Sequence, residues 1–310
     1  MKRHARQSGF SLIELVLAMS LSIGLTGIIF WYLKQNQESF VVQASIADLH
    51  QNFRAAMDLM TRDIQAAGAG LPQFLGPIAG IDGGTGPDEI LILYGDPSFT
   101  QVSVSNAPIA NRSSTIQVAN PATGTAPTFT NGDNYVLYAV SQPNASATTD
   151  NAEFDVFTLS AHSTIVGGQQ LTAQATSTVN PPSWSNLAFP SANALRVTRL
   201  DQLIRYRVDT TANELQRSIN NGAWVAVARN ITNLQIQYWI EDPATSATST
   251  VDSVLTTTSN NRALIRAVFV TLTAQTQMAR VADGQGQRAI SQTIEVTPRN
   301  LVLPGFVLNR

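Results

Sequence analysis

Between Phe10 and Leu33 run 24 residues in which Glu14 is the only charge. As an α-helix rising 1.5 Å per residue, this stretch is about 36 Å long, enough to cross a ~30 Å hydrocarbon layer with some tilt. Lys2, Arg3 and Arg6 precede it without an acidic partner, and Lys34 follows it. That asymmetry predicts a cytoplasmic N-terminus, with everything after Leu33 outside the inner membrane. Trp31 and Tyr32 close the run, where amphipathic rings prefer the membrane–water boundary. A secretory signal would show an apolar core of roughly 7–15 residues and then a small-residue cleavage site. Here the run is longer, and Leu33-Lys34-Gln35 offers no such site. An ordinary anchor accounts for the length but not for Glu14. A carboxylate inside a membrane helix costs about 2.5–3.5 kcal/mol on insertion scales, so it needs a partner or a purpose.

The helical pattern continues past the membrane. No proline occurs from residue 10 to 67, and Ile46, Leu49, Phe53, Met57, Met60 and Ile64 recur at spacings of 3, 4, 4, 3 and 4. That is one face of an α-helix, with Gln51, Asn52, Arg54, Asp58, Arg62 and Asp63 assigned to other faces. Gly68-Ala69-Gly70-Leu71-Pro72 then supplies the breakers. The expectation is one long helix: a membrane half over 10–33 and an amphipathic continuation over 34–70.

After about residue 73 the period changes to that of strands. Asp88 to Tyr94, 134–140, 153–159, Leu203 to Val208, Glu214 to Ile219, Trp224 to Ala228, Ile231 to Ile240, Leu264 to Thr273 and Ile290 to Thr297 are strand candidates, with a shorter one at 115–118. Asn131-Gly132, Gly167-Gly168, Asn220-Asn221-Gly222 and residues 284–287 supply turns. A helix followed by many strands predicts an α+β protein, its long helix packed on a mainly antiparallel β-rich head over 71–310. Within that head, 98–195 is rich in Ser, Thr, Asn and Ala. Two meanings stay open for it: an inserted lobe or an elaborated loop region.

Composition removes most chemistry. With 19 basic and 21 acidic side chains the net charge is −2, which leaves no basic excess for a nucleic acid. The absence of cysteine excludes thiolate metal sites, cysteine nucleophiles and disulfides. His4, His50 and His162 are the only histidines. His50 sits beside the helical apolar stripe, as a packed or solvated side chain. His162 with Asp155 and a nearby serine would suggest hydrolysis, but no nucleophile elbow is present. Asp82, Asp88 and Glu89 beside Gly83-Gly84-Thr85-Gly86 invite a calcium reading, although a plain loop is commoner and no EF-hand spacing is found. The same glycines lack the lysine and helix of a phosphate loop. Asn111, Asn144 and Asn230 begin Asn-x-Ser/Thr triplets, frequent by chance in such a composition. Trp184 and Trp224 fit a sugar- or surface-binding patch less readily than core anchors. No catalytic constellation emerges. The chain reads as a non-enzyme without cofactor or resident metal.

Gly9-Phe10-Ser11-Leu12-Ile13-Glu14, after a short basic leader and before an uninterrupted apolar helix, closely resembles the type IV prepilin processing site. The tail adds to the likeness. Leu215-Gln216-Arg217-Ser218, Val227 to Leu234 leading into Gln237-Tyr238-Trp239, and the closing Val296-Thr297-Pro298-Arg299-Asn300-Leu301 look like PilW-type minor pilins and the related J-type pseudopilins of type II secretion. The likeness covers 1–95 and 200–303 and hardly touches the middle.

The resemblance implies a leader, 1–9, cut by a prepilin peptidase between Gly9 and Phe10, and N-methylation of Phe10. Glu14 would then neutralise the amine of Phe10 on a neighbouring subunit, pairing two charges each costly alone in lipid. Ser20, Ser22, Gly24 and Gly27 offer small surfaces for helix packing. Gly24 and Gly27 equally suit a membrane half that loosens during assembly, or simply the frequency of glycine in membrane helices. The implied role is a minor pilin in the inner membrane, with its head periplasmic. It would assemble with other minor pilins and the major pilin to initiate the pilus or sit at its tip beside an adhesin. A secretion pseudopilin and an adhesive head are the alternatives.

Overall fold

The computed structural model describes residues 11–72, 75–107, 109, 115–122, 125–139, 154–174, 194–241, 247–252, 265–276 and 288–299. The proline-free N-terminal sequence forms α1 (Leu12–Gln65), 54 residues and about 81 Å long. Its apolar stretch has the length and composition of a membrane anchor or a signal sequence. From Leu12 to Leu33 the large apolar side chains are exposed. Further along, Leu49, Phe53, Ala56, Met57, Met60 and Ile64 are buried, while Ile46 is half-buried and His50 exposed. The helical stripe expected from spacing is thus the buried one.

Asp63 departs from that expectation. Assigned by pattern to a solvated face, it is 8% exposed. Position 63 follows Met60 by three residues and so borders the stripe. Its burial is tolerated because donors meet it, as described below.

The chain divides into two compact units, residues 1–50 with 276–288 and residues 51–275 with 289–310. The first holds the N-terminal part of α1, and within it Thr276 N–H donates to Arg288 O at 2.9 Å. The second holds fourteen strands among the described residues, and all their pairings are antiparallel.

The larger sheet contains ten of them: β1 (Ile78–Ile81), β2 (Glu89–Gly95), β3 (Val102–Ser103), β4 (Ile116–Ala119), β5 (Asn134–Ala139), β6 (Phe154–Ile165), β7 (Gly168–Ala173), β8 (Leu195–Asp209), β9 (Glu214–Ile219) and β10 (Val225–Arg229). Its main path runs β1-β2-β8-β5-β6-β7-β4. β8 is the spine. Its first residues pair with β3 and β5, and its later ones with β2 and β9. The range 98–195, open between lobe and loops on sequence, contributes β3 to β7 to this same sheet.

Strand alternation divides the apolar residues between the two faces. Val136 and Tyr138 join Leu91, Leu93, Leu203, Leu71 and Leu75 in one cluster. Tyr135 and Leu137 join Phe157, Leu159, Val197, Phe99 and Phe129 in another. Phe99, Phe129, Tyr135 and Phe157 form a chain of ring contacts with centroids 5.4–5.9 Å apart.

A second sheet is ordered β12 (Thr248–Val251), β11 (Ile231–Glu241), β13 (Ile265–Gln275), β14 (Ala289–Val296). It is stitched to the loop before β2. Asp88 N–H donates to Leu234 O at 2.7 Å, and the Asp88 carboxylate accepts from Ile236 N–H at 2.7 Å.

The helix terminator behaves as its glycines dictate. Gly68 and Gly70 adopt φ of 78° and 77°, and residues 66–70 are turns, so α1 stops five residues short of the expected boundary at 70. Gly68 N–H donates to Leu93 O and Gly95 N–H to Ala69 O, both at 2.8 Å. A Cβ on Gly70 would stand 2.3 Å from Gly95 O. Gly70→Ala is therefore expected to lower stability by about 1–3 kcal/mol, through left-handed strain and displaced backbone. A urea midpoint equal to that of the unaltered chain would contradict this close approach.

Candidate functional site

The residues singled out by sequence lie at the start of α1. Gly9 and Phe10 fall outside the described residues. Ser11 precedes the helix, and its N–H donates to Glu14 Oε2 at 3.4 Å. Ser11-x-x-Glu14 is thus half of a capping box, with the carboxylate in the first turn, where the helix dipole favours a negative charge. That local role was legible in the S-x-x-E spacing and was overshadowed by the membrane cost of the charge. It does not compete with a charged partner from another chain, since one long bond leaves most of the carboxylate's accepting capacity free.

The four small residues do not share one surface. At 3.6 residues per turn, Ser20, Gly24 and Gly27 fall within about 60° of one another, whereas Ser22 lies about 200° from Ser20. A Cβ built on Gly24 or Gly27 meets nothing within 4 Å. Ser20 Oγ donates to Leu17 O at 2.9 Å, and Thr26 Oγ1 to Ser22 O at 2.7 Å. These hydroxyls are satisfied within their own helix, so they present small surfaces without demanding an outside acceptor.

The far end of α1 carries a polar site that pattern reasoning missed. Asp63 Oδ2 accepts from Tyr206 Oη at 2.6 Å and from Arg217 Nε at 3.0 Å and Nη2 at 2.9 Å. Tyr94 Oη donates to Asp63 O at 2.6 Å. Burial and the neighbouring Asp63 carboxylate push the Tyr94 and Tyr206 hydroxyls far above their ordinary range. Both phenols stay neutral donors, and Asp63 fastens the helix end to β2, β8 and β9.

The candidates in the head are occupied structurally. Asp88 is 4% exposed, and Gly83 and Ile236 N–H groups take its two oxygens. Desolvation nevertheless raises its pKa, against the pull of those two bonds. Asp82 accepts from Gly84 N–H at 2.6 Å, and Glu89 pairs with Arg205. Each of these three carboxylates thus meets a donor from the chain itself. His162 and Asp155 stand seven residues apart on β6, about 23 Å along an extended strand, so they form no dyad. His162 Nδ1 instead lies 3.0 Å from Asn131 Oδ1. The ring of Trp224, just before β10, is met by the guanidinium groups of Arg205 at 5.3 Å and Arg207 at 4.1 Å, a cation–π contact with β8. Asn230 sits at the β10–β11 corner with φ 64°. Asn111, Asn144, Trp184 and the turn at 284–287 lie outside the described residues.

What this arrangement offers chemically is an exposed apolar helix with one carboxylate in its first turn, fixed at its other end by a buried carboxylate. No protein-family model, no curated protein and no solved structure matches the chain.

Proposed function

We propose that this chain is a minor type IV pilin of the PilW type. Prepilin peptidase cuts it between Gly9 and Phe10, and Phe10 is N-methylated. Residues 10–33 hold it in the inner membrane with the head in the periplasm. It then assembles through α1 with other minor pilins and the major pilin, to initiate the pilus or stand at its tip. One observation carries the reading: a single 54-residue helix changes character along its length. Its first part is apolar and exposed with a lone carboxylate, and its last turns are buried. Such an element suits first a bilayer and then the packed helices of a filament, because close packing drives helix association where the hydrophobic effect cannot.

The test in cells is the major pilin in the sheared surface fraction of a strain deleted for this gene and complemented in parallel. Loss of surface pilin restored by complementation supports the reading. Normal pilin with exoprotein missing from the medium identifies a secretion pseudopilin instead. Normal levels of both leave adhesion by the head.

Glu14 gives the molecular counterpart. Glu14→Ala is expected to leave leader cleavage largely intact while co-purification of other minor pilins falls several-fold. Glu14→Gln separates the two roles of the carboxylate, since glutamine keeps the capping box but not the charge. It should lose partners as alanine does. Wild-type recovery of partners by both variants would remove the charge-pairing role.

A further inference from the structure

Within the head, a cleft of about 440 Å³ opens where the turn after α1 faces the β2–β3 loop, the end of β5 and the start of β8. Small-ligand sites commonly span roughly 300–1,000 Å³. Leu71, Pro72 and Pro97 supply apolar walls. At its polar side Tyr138, 1% exposed, donates from its hydroxyl to Gln101 Oε1 at 2.6 Å. Burial pushes the Tyr138 hydroxyl up to about 12, against the opposing pull of Arg196, so the phenol keeps its proton at neutral pH. With Oε1 of Gln101 engaged, its Nε2 carries N–H groups to offer.

Arg196 completes the lining. It is exposed at the start of β8, its guanidinium reaches the Tyr138 hydroxyl, and it is the only charged residue among the described residues that line the cleft. A guanidinium beside apolar walls, with an amide donor in the same lining and no carboxylate among the described lining residues, is complementary to one ligand chemistry. Arginine's planar fork matches a carboxylate with two parallel bonds, and no acid among the described lining residues competes for it.

We propose that this cleft binds a carboxylate carried on an apolar body about the size of an aromatic amino-acid residue. Arg196 pairs with the carboxylate, Gln101 donates to it, and Leu71, Pro72 and Pro97 cover the body. Tyr138 is a positioning residue, acting through Gln101 and Arg196.

The test uses the full chain in detergent and two acids, 3-phenylpropionate and N-acetyl-phenylalanine, with N-acetyl-phenylalaninamide as the uncharged counterpart. Binding is followed by calorimetry. At least one acid is expected to bind about tenfold or more tightly than the amide. Arg196→Gln, at an exposed position, should weaken that acid about tenfold while leaving the thermal midpoint unchanged. Tyr138→Phe should weaken it by less. Preference for N-acetyl-phenylalanine assigns the site to a peptide chain end, and equal binding of both acids to a free small acid. Equal binding of acid and amide, affinity unmoved by Arg196→Gln, or no binding of either acid overturns the proposal.

Discussion

On the proposed prepilin reading, Gly9→Leu is expected to block leader removal and leave a chain still carrying residues 1–9, with no methylated Phe10 at its start. The effect is large because it is all-or-none at the level of the peptide bond. A peptidase that works at the membrane surface must take the backbone on both sides of the scissile bond into its site. Glycine, without a Cβ, is the residue least able to obstruct that approach. A branched side chain there sits against the bond to be cut. Intact mass of the membrane-fraction protein distinguishes the outcomes, and the uncut chain is nine residues longer. The mature mass in the Gly9→Leu strain would remove the prepilin reading, and with it the pairing of Glu14 with a Phe10 amine. Because the apolar run is unaltered, membrane insertion itself should persist in the variant. Loss of insertion would point to a misfolded chain, so carbonate extraction belongs beside the mass measurement.

Asp63→Ala is expected to destabilise the head by about 3–5 kcal/mol, the range for removing one partner of a buried ion pair. The change does not merely delete an attraction. It leaves the Arg217 guanidinium, 20% exposed, and the Tyr206 hydroxyl without their shared acceptor. Asp63→Asn keeps a carbonyl oxygen to accept from Tyr206 and so should cost less. Tyr206→Phe, which removes only a donor, should cost about 1–2 kcal/mol. Urea unfolding of these three variants, with Arg217→Met and the double variant Asp63→Ala/Arg217→Met closing a cycle, measures the coupling directly. A coupling near zero would show that the ion pair contributes nothing beyond packing. Asp63 lies in the last turn of α1, so its loss should also loosen the seat of the helix on the sheet, seen as faster amide exchange at 60–65 than at 89–95.

The stripe from Leu49 to Ile64 was legible because burial on a helix repeats every three or four residues, and one face suffices to define it. The strand Glu214–Ile219 was legible from the Asn-Asn-Gly turn that ends it, with Asn220 and Asn221 at positive φ, and Ile231–Glu241 from its run of strong β-formers. Asp63 was misplaced because a periodicity argument sorts residues by polarity. It cannot see that Tyr206 and Arg217, 143 and 154 residues away, supply the missing bonds. Asp88 is the same case, since one of its two donors comes from Ile236, 148 residues on. The capping of Glu14 was local and could have been read from S-x-x-E.

By itself the sequence determined most of the elements and their order: an uninterrupted helix with an apolar first part, its glycine terminator, and strands closed by turns, with β1, β3, β7 and β12 absent from its strand candidates. Local sterics and hydrophobic period act over a few residues, so these features need no knowledge of the rest of the chain. Only the tertiary structure decided that β8 would serve as the spine, that 98–195 would extend its sheet, and that Asp63 and Asp88 would be buried. Those outcomes depend on partners far apart in the chain. A buried carboxylate is permitted solely where such partners bring it hydrogen bonds, and a strand's neighbours are chosen by which faces can be covered together.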